Sequence, residues 1–93
     1  MMNKYNVVPT TKFKNDLKLA KMWGCNLSLL SEVVDLLAKG KSLPEKNKNH
    51  TIIGNYVGCR ECRITPDWLL IYKISNDELI LYLTRTGVHC DSF

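Results

Sequence analysis

The first half of the chain alternates apolar and polar positions in a way that predicts one short strand followed by a helix. Residues Tyr5-Asn6-Val7-Val8 predict a strand that Pro9 ends. An apolar stripe at spacings i, i+4 and i+7 then predicts a helix with Phe13, Leu17 and Ala20 on one face. Thr10 or Thr11 can cap its start, because a threonine hydroxyl accepts an unpaired backbone N–H. Gly24 is a natural end for this helix.

A second helix is predicted directly after the first. Asn26 can cap its start, and Gly40 ends it. Its apolar face is formed by Leu29, Leu30, Val33, Leu36 and Leu37. The stretch from Lys41 to His50 is rich in lysine and asparagine and poor in apolar residues, so it is predicted to be a loop.

The second half changes to the pattern of strands. Strands are predicted at Asn55–Val57, Cys59–Thr65, Trp68–Ile74 and Leu79–Thr84, with turns between them. The strand Trp68–Ile74 is apolar on both faces, which is typical of a central strand. The order β-α-α-β-β-β predicts an α+β fold in which a helical hairpin packs on one face of an antiparallel sheet.

Length and composition are those of a small globular protein. A chain of 93 residues, with 45% hydrophobic and 24% charged residues, is expected to form a single domain over residues 1–93. No apolar run approaches the roughly 20 residues that a membrane span needs. The start, Met1-Met2-Asn3-Lys4-Tyr5, has no apolar signal-peptide core, so we expect a cytoplasmic protein.

Charge is divided unevenly between the two halves. Residues 1–50 hold nine lysines and four acidic residues, a balance of +5, whereas residues 51–93 hold four basic and five acidic residues, a balance of −1. The second half contains all three arginines, which suit fixed bidentate contacts to carboxylate or phosphate. A polyanionic partner is consistent with this distribution.

The four cysteines do not predict a metal site. Cys59-Arg60-Glu61-Cys62 has the spacing of a zinc-binding pair, but Cys25 and Cys90 do not supply the second pair that a structural zinc site needs. Without a signal peptide we expect free, buried or half-buried thiols. No bound metal or cofactor is predicted.

A small set of polar residues could support cleavage of a phosphate ester. The set comprises His50, His89, Asp67, Arg60, Arg63 and Arg85. Cleavage of RNA without a metal needs a base for the 2′-hydroxyl, an acid for the leaving 5′-oxygen and fixed positive charge for the phosphorane. Histidine can be base or acid near neutral pH, and arginine can bind phosphate. The residues alone leave other roles open: a solvated loop histidine, a turn aspartate and surface ion-pair arginines.

Two sequence blocks carry a resemblance to a known family. The stretch from His50 to Lys73, with Pro66-Asp67-Trp68-Leu69-Leu70-Ile71-Tyr72-Lys73 at its end, resembles the YafQ toxins, a branch of the RelE/ParE superfamily. The ending Arg85-Thr86-Gly87-Val88-His89, with the terminal Phe93, is similar to the end of those toxins. Together the blocks cover roughly half of the chain, and they imply a RelE-like fold.

The resemblance implies a ribosome-dependent mRNA endonuclease, the toxin of a type II toxin–antitoxin pair. Such toxins cut mRNA in the ribosomal A site without a metal, and a cognate antitoxin of the DinJ/RelB type blocks them. By motif, His50, Asp67, His89 and Phe93 match functional positions of the family, and Arg60 matches an arginine shared with RelE relatives. Arg63 and Arg85 are further candidates for contact with the phosphate.

One departure from the family pattern concerns the chemistry. YafQ relatives usually carry histidine where this chain has Arg63. An arginine cannot carry a proton at neutral pH, but it can stabilise a phosphate. Two other functions stay open at this point. One is a ParE-like DNA gyrase poison, which has the same fold without nuclease activity, and the other is a weakened RNA-binding relative, for which Arg63 is the only indication.

Overall fold

The computed structural model describes residues 3–52 and 58–88. Within them the chain forms two α-helices, one short 3₁₀ turn and five strands. Their bounds are β1 (Asn6–Pro9), α1 (Thr11–Met22), α2 (Leu27–Ala38), the 3₁₀ turn (Glu45–Asn47), β2 (His50–Thr51), β3 (Arg60–Thr65), β4 (Trp68–Ser75) and β5 (Ile80–Val88).

Both predicted helices are present, with the predicted caps. The Thr10 hydroxyl accepts the backbone N–H of Phe13 at 3.2 Å and donates to the Leu83 carbonyl oxygen at 2.9 Å, so the same side chain caps α1 and ties it to β5. The Asn26 side chain accepts the backbone N–H of Ser28 at the start of α2. Beyond the end of α2, Gly40 has a φ of +74°, a conformation that glycine adopts without strain.

The five strands form one sheet in the order β1-β5-β4-β3-β2. β4 is central, as its apolar pattern predicted, and it pairs antiparallel with β3 and with β5. β1 pairs parallel with β5, so the sheet is mixed and not purely antiparallel. The reason is topological: the helical hairpin that follows β1 allows the chain to cross over before the remaining strands form. The α+β fold is confirmed.

One face of the sheet packs against the helices. Cys62 and Ile64 of β3 point into this core together with Leu70 of β4 and Leu81 of β5, and all are buried. Trp68 and Tyr72 are only 2% and 1% exposed, so both belong to this core. Strand alternation places the other side chains of β3, including Glu61 and Arg63, on the opposite face.

Two strand assignments differ from the prediction by more than one residue. His50 was expected to end a loop, but it begins the two-residue strand β2, which pairs antiparallel with β3. β5 was expected to end at Thr84, but it continues to Val88 because the polar residues Arg85 and Thr86 make specific contacts with α1 and β4. The strand predicted at Asn55–Val57 lies outside the described residues. In the described part of the chain, neither helix is long and apolar enough to cross a membrane.

Candidate active site

Three adjacent strands place His50, Glu61 and Ile71 in one row across the face of the sheet that does not pack against the helices. His50 of β2 lies opposite Glu61 of β3, and Glu61 lies opposite Ile71 of β4. Directly opposed residues in an antiparallel pair share a face, so these side chains stand side by side. Arg63 lies two residues further along β3 on the same face, opposite Leu69.

Two acceptors flank the His50 ring. Its Nδ1 lies 2.8 Å from the Lys48 carbonyl oxygen, and its Nε2 lies 3.2 Å from Glu61 Oε1. Both ring nitrogens therefore lie within hydrogen-bond distance of an oxygen of the protein. The side chain is 54% exposed, so a substrate can reach the ring. Glu61 fixes the orientation of an otherwise exposed histidine.

The loop before His50 is fastened to the sheet by two asparagines. Asn47 is buried, and its Nδ2 donates to the Arg63 carbonyl oxygen at 2.6 Å. Asn49 accepts from Arg60 Nε at 2.6 Å and donates to the Tyr72 hydroxyl. Burial raises the pKa of the Tyr72 hydroxyl, and the hydrogen bond from Asn49 opposes part of that rise. These contacts hold the backbone of His50 in place.

The side chains of Arg60 and Arg63 lie on opposite faces of β3 and have different hydrogen-bond partners. Arg60 lies opposite Tyr72, alternates with Glu61, and has its Nε engaged by Asn49. Arg63 is half-buried on the same face as Glu61, and its Nη1 donates to the Pro66 carbonyl oxygen at 3.0 Å. Arg63 thus links the row of His50 to the turn that follows β3.

Asp67 lies in that turn and is exposed. Asp67 is four residues before Ile71, which lies in the row of His50 and Glu61. Four residues of extended chain span about 13 Å, so Asp67 lies about that far from this row along the strand direction. The structure therefore does not bring Asp67 into contact with His50, and Arg63 lies between them.

Arg85 binds α1 through an aspartate. Its Nε and Nη2 donate to the two carboxylate oxygens of Asp16 at 2.6 and 3.0 Å, and the backbone N–H of Thr86 donates to the same carboxylate at 3.2 Å. Asp16 is only 11% exposed. The parallel pairing of β1 ends at Leu83, so Asp16 satisfies a backbone donor of β5 beyond the end of that pairing. Of the two roles considered for Arg85, an ion pair with a carboxylate is present.

The two sequence blocks that carry the family resemblance contact each other. Trp68 Nε1 donates to the Thr86 hydroxyl at 2.8 Å, and that hydroxyl donates to the Leu69 carbonyl oxygen at 2.7 Å. Thr86 is 1% exposed, and its hydrogen bond with Trp68 is buried. This contact fixes the end of β5, where Val88 lies opposite Trp68.

Two of the predicted site residues, His89 and Phe93, lie outside the described residues. Sequence reasoning missed four supporting residues: Glu61, Asn47, Asn49 and Asp16. Each contacts a predicted site residue, but none has a local sequence signal, because the contacts depend on strand register and on the crossing of α1 over β5. Glu61, on the strand adjacent to that of His50, was readable from the sequence only as an ordinary charged strand residue.

The cysteines of the described region are free thiols. Cys25 and Cys59 are half-buried and Cys62 is buried, as expected, while Cys90 lies outside the description. Burial, together with the negative charge of Glu61, raises the pKa of Cys62 to about 12. Among residues 3–52 and 58–88, no group of three or more histidine, cysteine or acidic side chains is arranged to hold a metal ion.

Comparison with known proteins agrees with this geometry along nearly the whole chain. Residues 5–93 match the family model described as "Bacterial toxin of type II toxin-antitoxin system, YafQ". The mRNA interferase toxin YafQ of Escherichia coli K12 is 32% identical over 83 residues, which cover 88% of each chain.

Solved structures give the same result. YafQ in the crystal structure of the E. coli DinJ-YafQ toxin-antitoxin complex superimposes with a TM-score of 0.84 and 30% identity, covering 97% of this chain and 98% of that one. A metal-bound toxin from Helicobacter pylori gives a TM-score of 0.88 and 38% identity, covering 96% and 99%. The chain therefore belongs to the YafQ family of bacterial toxins of type II toxin–antitoxin systems.

Proposed function

We propose that this protein is an mRNA interferase, the toxin of a type II toxin–antitoxin pair, which inhibits translation by cutting mRNA in the ribosomal A site. The relatives named mRNA interferase toxin YafQ support the activity, and the DinJ-YafQ complex supports an antitoxin of the DinJ/RelB type as its partner. A protein that acts on translated message works in the cytoplasm, which is the location we propose.

The reaction is a transesterification within the RNA strand. The 2′-oxygen attacks the adjacent phosphorus, a base takes the 2′-hydroxyl proton, and the bond to the 5′-oxygen breaks as an acid protonates that oxygen. The products are a 2′,3′-cyclic phosphate and a 5′-hydroxyl. Protein side chains supply the proton transfers and the charge that stabilises the phosphorane.

The observation that carries the proposal is the exposed His50 ring held between Lys48 O and Glu61. A histidine with a fixed orientation and an accessible surface can contact the scissile phosphate, take the 2′-hydroxyl proton or protonate the leaving 5′-oxygen. The contacts with Lys48 O and with Glu61 Oε1 set the direction of both ring nitrogens. Glu61 is a positioning residue in this scheme, because it acts through His50.

The remaining roles follow the chemistry of each side chain. His89 is the second proton carrier, and Asp67 orients a histidine or acts as a base. Arg63 supplies fixed charge at the position where relatives usually carry histidine. Phe93 contacts the substrate.

Arg60 and Arg85 contribute to phosphate binding, and each also holds in place an element of the site. Arg60 acts beside the His50 loop, where Asn49 engages its Nε. Arg85 has two donors on Asp16, so its contribution to the site includes holding the end of β5 in place.

Primer extension after incubation with purified ribosomes and mRNA tests the proposal. We expect a defined cut only in translated message, retained in EDTA when an EDTA-tolerant control nuclease shows that the ribosomes are intact. Inhibition of DNA supercoiling without RNA cleavage would instead identify a gyrase poison. If neither mRNA cleavage nor inhibition of supercoiling is detected, the remaining interpretation is an RNA-binding relative without catalysis.

A further inference from the structure

The outer surface of α1 carries an apolar stripe that the fold does not use. Leu19, Met22 and Trp23 are spaced i, i+3 and i+4 at the end of the helix, and they are 56%, 80% and 57% exposed. We call these three residues the α1 stripe. The buried residues of the same helix, Phe13 and Ala20, lie on a different face from Leu19, Met22 and the C-cap residue Trp23, so the α1 stripe is not part of the core.

Positive charge surrounds the α1 stripe. Four exposed lysines lie on the same helix: Lys12, Lys14, Lys18 and Lys21. The only acidic residue of α1, Asp16, is 11% exposed and already bound by Arg85 and by the Thr86 backbone. The solvent-facing side of α1 is therefore uniformly basic around an apolar centre.

We propose that the α1 stripe and its lysines are a docking surface for an acidic amphipathic helix of the antitoxin. This inference rests on the proposed function, since it names the surface through which the partner of that toxin binds. The apolar residues supply the buried centre of the contact, and the lysines supply a complementary rim. A partner helix would place its own apolar side chains at helical spacing over Leu19 and Met22 and its carboxylates near the lysines.

The composition of the surface favours a protein partner over RNA. Leu19 and Met22 are aliphatic, and only Trp23 offers a ring on which a base could stack. RNA surfaces combine several aromatic rings with arginines, whereas the arginines of this chain all lie in its second half. Aliphatic residues at i and i+3 with a tryptophan at i+4 suit the apolar ridge of a helix–helix contact.

The two tryptophans of the chain provide a direct readout. Trp23 is 57% exposed and Trp68 is 2% exposed, so a toxin labelled with 5-fluorotryptophan gives one solvent-accessible and one buried ¹⁹F signal. The Trp23→Phe variant assigns the two signals. The probe is the full-length antitoxin encoded with the toxin in its native operon. On saturation we expect the Trp23 signal to shift and to lose its H₂O/D₂O isotope shift.

Affinity measurements on matched variants complete the test. Trp23→Ala should weaken antitoxin binding by at least about 30-fold, as expected for a central aromatic anchor. Lys18→Glu combined with Lys21→Glu should weaken binding by about 10-fold at low salt and flatten its dependence on salt. Leu79→Ala, at another exposed leucine (46%), and Lys41→Glu are the matched controls and should change affinity by less than about 2-fold.

The outcomes separate this inference from the function on which it rests. A tight complex in which the Trp23 signal and the affinities of the α1 variants are unchanged overturns the inference alone. Variants that lose ribosome association but keep antitoxin affinity also overturn it, because the α1 stripe is then an RNA surface. A protein that forms no complex with the operon's antitoxin overturns both the inference and the proposed function.

Discussion

The carboxylate of Asp16 offers the sharpest test of how the end of β5 is held. It accepts three hydrogen bonds, two from the Arg85 guanidinium and one from the Thr86 backbone, at 2.6, 3.0 and 3.2 Å. In Asp16→Ala these three hydrogen bonds are lost, and the Arg85 guanidinium and the Thr86 backbone N–H lose the acceptor that Asp16 provides. Removing one partner of a fully buried pair costs about 3–5 kcal/mol.

The Asp16 pair is less than fully buried, which lowers the expected cost. The Arg85 side chain is 27% exposed, so water can replace part of the lost interaction. We therefore expect Asp16→Ala to lower the free energy of unfolding by about 2–3 kcal/mol. For a chain of this length that loss corresponds to a fall in Tm of roughly 10–20 °C.

Asp35→Ala is the matched control. Asp35 forms an ion pair of 2.8 Å with Lys39 at i, i+4 spacing, but it is 57% exposed. Such pairs contribute about 0.3–0.5 kcal/mol, so the expected fall in Tm is under about 4 °C. Thermal unfolding followed by circular dichroism measures both variants, in a His50→Ala background that avoids toxicity to the host. Equal falls in Tm for the two variants would refute the anchoring role of Asp16.

Three further outcomes test the site and its support. Thr86→Val should lower the free energy of unfolding in a urea titration by about 1–3 kcal/mol, because Trp68 Nε1 and a carbonyl lose a buried hydroxyl partner; a loss below 0.5 kcal/mol would contradict this. Since burial raises the pKa of Cys62 from 9.0 to about 12, its thiol stays protonated in the fold while the unfolded chain ionises. Between pH 9 and 12 the free energy of unfolding of the wild type should therefore fall with pH more steeply than that of Cys62→Ala, by about 1.4 kcal/mol per pH unit. Urea titrations at several pH values in which both proteins show the same dependence on pH would contradict this. Arg63→His should keep its cleavage activity and gain a pH dependence near pH 6–7 if Arg63 acts as fixed charge, and a flat profile of single-turnover rate against pH would argue against that role.

The parts of the fold that the sequence predicted are those with a local signal. Thr10 and Asn26 cap helices whose apolar stripes are continuous, and the strand Trp68–Ile74 is apolar enough to be identified as central. In each case neighbouring residues in the chain carry the information. The parallel pairing of β1 with β5 had no such signal, because it joins residues more than 70 positions apart.

The site was less predictable for the same reason. His50, Arg63 and Asp67 could be named from residue chemistry and family resemblance, but the contact of His50 with Glu61 exists only because two-residue β2 takes one register against β3. The polar sequence Arg85-Thr86-Gly87 reads locally as the end of a strand. It continues β5 because Asp16 and Trp68, both distant in sequence, bind it.

The measurement that tests the central claim most directly is the single-turnover rate of ribosome-dependent mRNA cleavage by the wild type and by His50→Ala. His50 is exposed, so the variant should fold normally, and Lys46→Ala in the same loop is the matched control. We expect His50→Ala to cut about 10²–10⁴-fold more slowly than the wild type, the range for a lost proton carrier, with Lys46→Ala near the wild-type rate. A folded His50→Ala variant that cuts translated message at the wild-type rate would contradict the account.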